Sequence, residues 1–291
     1  MTTSEDNQPL FASALVRIEK VCCLRARRGL SCEECKTEHQ IAIPLSGVNV
    51  RHIGGETFTI TPSHLTLSNR GESYQVSHPY GSGETQLNIM FHEPLLRELV
   101  SGADPAAVDR DRIFELRQKP ISLQLRFAIQ AFIGALRSRD YSAAEIEETL
   151  LNLTQRMLAP ATPLRRGRLT PNDRSLALRT DSLLAACYTE PVGLDILAAR
   201  LNVSVYHLCR VYRRVTGKTL WSEIQQLRTR AALLHLDGGE QDLTALGLSL
   251  GFADHSHFTA SFRRHLGVTP STARQLLATG ALSQVHQLLS N

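Results

Sequence analysis

The hydrophobic pattern of the chain changes period once. From Ala14 to about Phe91, apolar and polar residues alternate in short runs: Gln40–Leu45, Gly47–Ile53, Thr57–Ile60, Leu65–Ser68, Tyr74–His78 and Gln86–Phe91. Turn-forming residues separate the runs, among them Ser46-Gly47, Gly54-Gly55, Asn69-Arg70-Gly71 and Pro79-Tyr80-Gly81. Short period-two runs punctuated in this way predict antiparallel strands closing into a small barrel or jelly roll. The polar start, residues 1–13, is expected to be disordered.

Beyond Glu93 the period becomes helical. Ile121–Arg137 and Ala143–Leu158 are amphipathic, and Leu125, Ile129, Phe132, Ile133 and Leu136 form a stripe along the first. Residues 159–173 carry Pro, Gly and Arg and read as a linker. A helix Arg174–Tyr188 then opens a second, all-helical domain running to residue 279. Residues 280–291 form a short apolar tail expected to make one more turn or helix.

Within the second domain a motif occurs twice at an offset of fifty. Ser204 to Leu220 and Asp254 to Pro270 align His207 with His257, Arg213 and Arg214 with Arg263 and Arg264, and Gly217 with Gly267. Leu208 and Tyr212 align with Phe258 and Phe262. A repeat at fixed offset means two copies of one supersecondary unit. Ser204 and Asp254 suit an N-cap, and Gly217 and Gly267 suit the left-handed position that closes a helix. Leu208, Val211, Tyr212 and Val215 make one buried stripe, which leaves Tyr206, Arg210 and Arg213 on an outward face. A shorter apolar helix, Leu194–Leu201 or Leu243–Leu250, precedes each copy across a tight connection. Helix, short turn and a capped basic helix is the helix-turn-helix pattern, whose second helix enters the DNA major groove. Leu220 to Leu236, with Trp221, Ile224, Leu227, Ala231 and Leu234 at mostly helical spacing, reads as the rod separating the units by about one turn of DNA.

Residues 176–278 resemble the DNA-binding domain of the AraC/XylS family of bacterial transcription regulators. The most specific stretch is Leu246 to Pro270, similar to the family's Gly-Phe, Ser-x-Phe, basic pair and Gly-x-x-Pro. The resemblance implies base-edge contacts from Tyr206, Cys209 and Arg210 in the first unit and from His255, Ser256 and Ala260 in the second. Arg213, Arg214, Arg263 and Arg264 would then hold phosphates. Two positions depart from the family: Ala260 offers a base only a methyl group, and Ala273 stands where Tyr often precedes the Arg of the closing helix. The N-terminal pattern is similar to the family's cupin-like domain, which implies an α+β chain with a signal-binding barrel. Helices after the barrel commonly make the dimer contact in that family. The helical stripe is equally well placed to pack on the barrel.

Composition and charge agree with this division. Hydrophobic content of 42% with 5% aromatics describes an ordinary globular protein, and no apolar run approaches a membrane span. The net charge of +4 conceals an asymmetry: residues 1–159 hold 17 Lys and Arg against 19 Asp and Glu, whereas residues 160–279 hold 15 against 9. Basic charge gathers where phosphate would be met. Partners implied are double-stranded promoter DNA, RNA polymerase, a second copy of the chain and an effector, in a reducing cytoplasm.

Six cysteines do not make a disulfide scaffold. Four of them nevertheless fall within 14 residues, Cys22, Cys23, Cys32 and Cys35. On a strand Cys22 and Cys23 point to opposite sides, so one of them, Cys23 in the tentative set, is available to join Cys32, Cys35 and His39. Such a set would hold Zn²⁺ or a softer metal. A redox-sensing thiol pair and idle thiols are the alternatives, with Arg25, Arg27 and Arg28 favouring thiolate in the first two cases. A metal-cupin enzyme fused to a DNA-binding module is a remoter alternative. It needs a histidine constellation, and His52, His64, His78 and His92 are scattered singly, so the chain is read as a regulator and not an enzyme.

Overall fold

The computed structural model describes residues 5–23, 29–78, 83–104, 110–138, 140–159, 169–190 and 193–290. Two compact units divide the chain, Met1–Ala161 with Gly280–Asn291, and Thr162–Thr279. Arg25, Arg27 and Arg28, the Pro79-Tyr80-Gly81 turn and most of the expected linker lie outside the described residues.

Among the described residues the first unit holds ten strands: β1 (Glu5–Ala12), β2 (Val16–Cys23), β3 (Glu34–Cys35), β4 (Gln40–Ser46), β5 (Asn49–Ile53), β6 (Glu56–Ile60), β7 (His64–Ser68), β8 (Ser73–Ser77), β9 (Glu84–Phe91) and β10 (Gln118–Pro120). They form a six-stranded sheet in the order β1-β2-β9-β4-β7-β10 and a four-stranded sheet in the order β3-β8-β5-β6. The six expected strands are all present, within two residues at either end. The expected disorder at the start is corrected: β1 pairs antiparallel with β2, with a bulge between Pro9 and Phe11. An edge strand is stabilised through its backbone hydrogen bonds, so a polar sequence does not prevent it, and a bulge accommodates Pro.

Strand alternation gives the six-stranded sheet two unlike faces. Ile18, Ile89, Ile41 and Leu67 lie abreast in one buried row. On the opposite face Asn88, Ala42 and Thr66 lie abreast, with Gln86, Gln40 and Ser68 beside them. The four-stranded sheet covers this polar face, because Arg51 of β5 reaches across to Ser68 Oγ and Gln86 Oε1. The apolar face is left to the helices α1 (Glu93–Ser101), α2 (Leu123–Ser138) and α3 (Ala143–Leu158). Arg126 of α2 is tied to this sheet through the carbonyls of Pro44 and Pro62. Lys119 of β10 donates to the carbonyls of Leu158 and Ala159, holding the end of α3.

The stripe on α2 is covered within the chain. Of its expected residues, Ile129, Phe132, Ile133 and Leu136 are buried and Leu125 is half-buried, with Phe127 buried beside them. The expected tail, folded as α11 (Leu282–Ser290), packs against α2 and α3 with Leu282, Val285 and Leu289 turned inward. His286 Nε2 meets Thr149 Oγ1 at 3.1 Å, and Arg156 donates to the Leu289 carbonyl. The stripe is therefore core.

The second unit is all-helical: α4 (Pro171–Cys187), α5 (Leu194–Leu201), α6 (Val205–Thr216), α7 (Leu220–Asp237), α8 (Leu243–Ser249), α9 (His255–Leu266) and α10 (Pro270–Thr279). Leu184, Leu197, Leu208, Val211, Tyr212 and Ile224 centre its first core. At 18 residues, α7 is a rod about 27 Å long. Trp221, expected on its buried stripe, is exposed, because Leu220 and Ile224 already occupy the inward positions of that turn.

Candidate nucleic-acid interface

Local chemistry sets the ends of α6 and α9. Ser204 Oγ accepts from His207 N at 3.2 Å, and Asp254 Oδ1 accepts from His257 N at 2.7 Å. Gly217 and Gly267 close the helices at φ 76° and 77°, the left-handed region that costs a side chain dearly. Between these ends the repeat extends to three dimensions. From Val205 to Arg213 and from His255 to Arg263, the succession of buried, half-buried and exposed residues is identical. Leu208, Val211 and Tyr212 point into one core, and Phe258, Ser261 and Phe262 into the other.

The outward faces therefore correspond. On α6 they present Tyr206 at 77% exposure, Arg210 and Arg213. The Arg210 guanidinium stacks 5.9 Å from the Tyr206 ring, so the two act as one flat cationic and aromatic surface. On α9 the corresponding face presents Ser256, Ala260 and Arg263, with Arg264 exposed beside it. His255 lies 3.4 Å from both Thr244 Oγ1 and Thr259 Oγ1. Cys209 is half-buried and packs against the first core. Arg214 is held from behind. It forms a 2.6 Å ion pair with Asp173, which also caps α4 through Thr170, so its guanidinium braces α4.

Comparison with known proteins bears on this surface. A family profile described as a helix-turn-helix domain matches residues 197–276. Regulatory protein SoxS of Escherichia coli K12 is 32% identical over 88 residues, covering 30% of this chain and 82% of that protein. The chain belongs to the AraC/XylS family of transcription regulators. The transcriptional activator RhaS of Escherichia fergusonii is 23% identical over 253 residues, 81% of this chain and 85% of that protein. The solved structure of ToxT from Vibrio cholerae O395 overlaps 91% of this chain and 99% of its own at 12% identity, with a TM-score of 0.36. This member of the AraC/XylS family is thus a DNA-binding transcription regulator, and not an enzyme.

The regulator also holds groups under its interface that the sequence did not single out. Arg228 of α7 is buried and donates to the carbonyls of Tyr188, Glu190 and Gly251, joining α4 to the turn of the second unit. Burial lowers the pKa of its guanidinium. Beneath α6, Tyr212 donates to Asp181 at 2.6 Å, and burial raises the Asp181 carboxyl to about 6. A carboxyl whose folded pKa is raised contributes stability below its ordinary value near 3.8, and loses it as pH rises through about 6. Between about pH 5 and pH 7 this amounts to about 1 kcal/mol. Melting wild type and Asp181→Asn at both values should show the wild type losing more on going to pH 7; parallel slopes would contradict it.

The tentative metal set is not assembled. Cys23 pairs with Glu84 in the six-stranded sheet, whereas Cys35 pairs with Ser73 in the other. His39 Nδ1 accepts from the Arg70 amide, and its Nε2 lies 3.9 Å from Glu93. Desolvation, the largest influence, lowers its pKa. Cys22 is half-buried with Thr85 Oγ1 at 3.7 Å, and Cys32 is exposed. Among the described residues no three His, Cys, Asp or Glu side chains group to hold a metal. Spacing in sequence placed these residues close along the chain, but strand pairing sends them to different sheets. Among the described residues no helix is long and apolar enough to cross a membrane.

Proposed function

We propose that this regulator reads promoter DNA by laying α6 and α9 in successive major grooves, with the N-terminal unit receiving the signal that controls it. The observation that carries the reading is the matched outward face of two identically capped helices. Tyr206 and Arg210 supply most of the base readout, because a stacked guanidinium presents two parallel donors to the N7 and O6 of guanine. Ser256 and His255 add hydrogen bonds to base edges from α9, with Cys209 and Ala260 at the margins. Arg213, Arg263 and Arg264 hold phosphates. The protein acts in the cytoplasm as a homodimer alongside RNA polymerase. Because α2 is already covered, the dimer contact belongs to another surface, and the mass of the purified protein in solution tests the state.

Arg210→Ala is the deciding experiment. Measured against a selected binding site and its single-base variants, it should cost about 1–3 kcal/mol and relax discrimination at one base pair. Arg263→Ala should instead weaken all sequences alike and lower the salt slope by about one. Uniform weakening by Arg210→Ala would remove it from base readout.

A further inference from the structure

Between the two sheets of the first unit, Arg51 is a cation that no acidic side chain meets among the described residues. Arg51 is 3% exposed, and an Arg stays ionised in a protein. Its contacts are neutral: Ser68 Oγ and Gln86 Oε1, both at a long 3.4 Å, and the Tyr74 ring, 5.2 Å away. Its Nε meets no partner. Acids on the same faces are engaged elsewhere: Glu19 with Arg17 at 2.7 Å, Glu84 with His78 at 3.8 Å, and Glu34 accepting from the Tyr74 hydroxyl at 2.6 Å. Lys36 adds a second positive charge 4.8 Å from the same ring. Burying an ion costs several kcal/mol, whereas a desolvated ring contact returns about 2 kcal/mol. Neutral neighbours do not offset the burial of Arg51, and an anion would.

Polar side chains around this cation are also incompletely bonded. Asn49 Oδ1, Thr66 Oγ1, Asn88 Oδ1 and Gln40 Nε2 are buried without a hydrogen-bond partner, and each of the four residues is more than nine-tenths buried. They share the inter-sheet faces that Arg51 spans, and Ala42, between Thr66 and Asn88, contributes only a methyl. Orphaned groups of this density are rare in a sheet interior and cost about 1–3 kcal/mol each. Amide oxygens need donors, so a bare carboxylate or a fatty chain would leave two of them unmet.

We infer that the inter-sheet space is a binding site for a small hydroxylated carboxylate. Its anionic group pairs with Arg51, and its hydroxyls bond Asn49, Asn88, Thr66 and Gln40. The inference rests on the reading of this unit as the signal-receiving one and names the chemistry of the signal.

The test uses the full-length protein, with binding followed by thermal melting and calorimetry at about 10 mM probe. Probes are lactate, malate, tartrate and gluconate, with glucitol as the neutral polyol and octanoate as the apolar acid. At least one hydroxy acid should raise the melting temperature, and Arg51→Gln should weaken that binding by about 10- to 100-fold, as loss of a charge-assisted pair implies. Asn88→Ala should weaken it less. Without ligand, Arg51→Met should melt at or above the wild type, because it removes an uncompensated buried charge. No response to any hydroxy acid, equal binding of glucitol, preference for octanoate, or unchanged binding by Arg51→Gln would each overturn the inference. A ligand-free Arg51→Met that melts well below wild type would do so as well, by making Arg51 a structural brace. DNA affinity in the same preparations separates the two levels. Hydroxy-acid binding without effect on DNA leaves the site standing and removes the control reading.

Discussion

Phe258→Ala should abolish specific DNA binding although residue 258 is buried in the core of its domain. Phe258 is fully buried in α9, with its ring centroid 5.1 Å from Phe252 and 5.7 Å from Phe262. Gly247 of α8 packs so closely that a Cβ there would stand 3.0 Å from the Phe258 side chain. The ring is thus the contact that sets α8 against α9. Truncating a buried Phe to Ala costs about 3–5 kcal/mol through lost transfer energy and the cavity left behind. Folded domains have only about 5–15 kcal/mol in total, so the second helix-turn-helix unit should lose its fixed geometry at about 37 °C. A gel shift and a thermal melt on the same protein check this together. Wild-type melting with wild-type affinity would mean that α9 is held by something other than its aromatic core.

Gly251→Ala should produce a loss nearly as large from one added methyl. Gly251 has φ +84°, and a Cβ there would lie 2.6 Å from the Thr189 carbonyl oxygen and 2.8 Å from the Arg228 guanidinium. The left-handed backbone alone costs a non-glycine residue about 1–2 kcal/mol. The clash adds to that, because the carbonyl is backbone and Arg228 is already bonded to three carbonyls. Moving Arg228 breaks these hydrogen bonds, each of which has a charged donor and is worth about 1.5–3 kcal/mol. A melting temperature lower by roughly 10 °C or more is expected, together with weaker DNA binding. A variant melting within about a degree of wild type would show that the turn relaxes freely. The first helix-turn-helix uses Asn202 at the matching place, at φ 56°, the one non-glycine residue with positive φ among those described. Asn tolerates that region better than most residues, so Asn202→Ala should cost less than Gly251→Ala.

These two turns show how far local sequence reaches. Caps, closing glycines and the 3.6-residue stripes are contacts within a few positions, so Ser204, Asp254, Gly217 and Gly267 are legible as helix ends from their neighbours in the chain. The outward position of Tyr206, Arg210 and Arg213 follows from the same period. Strand alternation is equally local, which is why six strands lie within two residues of their expected bounds.

Other features depend on partners distant in sequence. Strand β1 exists because β2 offers it a free edge, and nothing in its polar composition announces that pairing. The four clustered cysteines are close in number, yet pairing sends Cys23 and Cys35 into different sheets. Arg214 and Arg264 are identical in the repeat, but Asp173 pairs with the first, and only folding brings that partner to it. Arg228 reads as one more solvated cation on a linking helix, and only folding converges the carbonyls of Tyr188, Glu190 and Gly251 on it. Arg51 reads as a polar residue in a strand, and only the closing of one sheet over the other buries it without an acidic partner among the described residues. By itself the sequence determined most of the elements, the caps of α6 and α9 and the outward faces of those helices, because each depends on neighbours within a turn or a pleat. Which buried charges are neutralised, and which are left for a ligand, was decided by tertiary structure, because burial and pairing are properties of surfaces brought together.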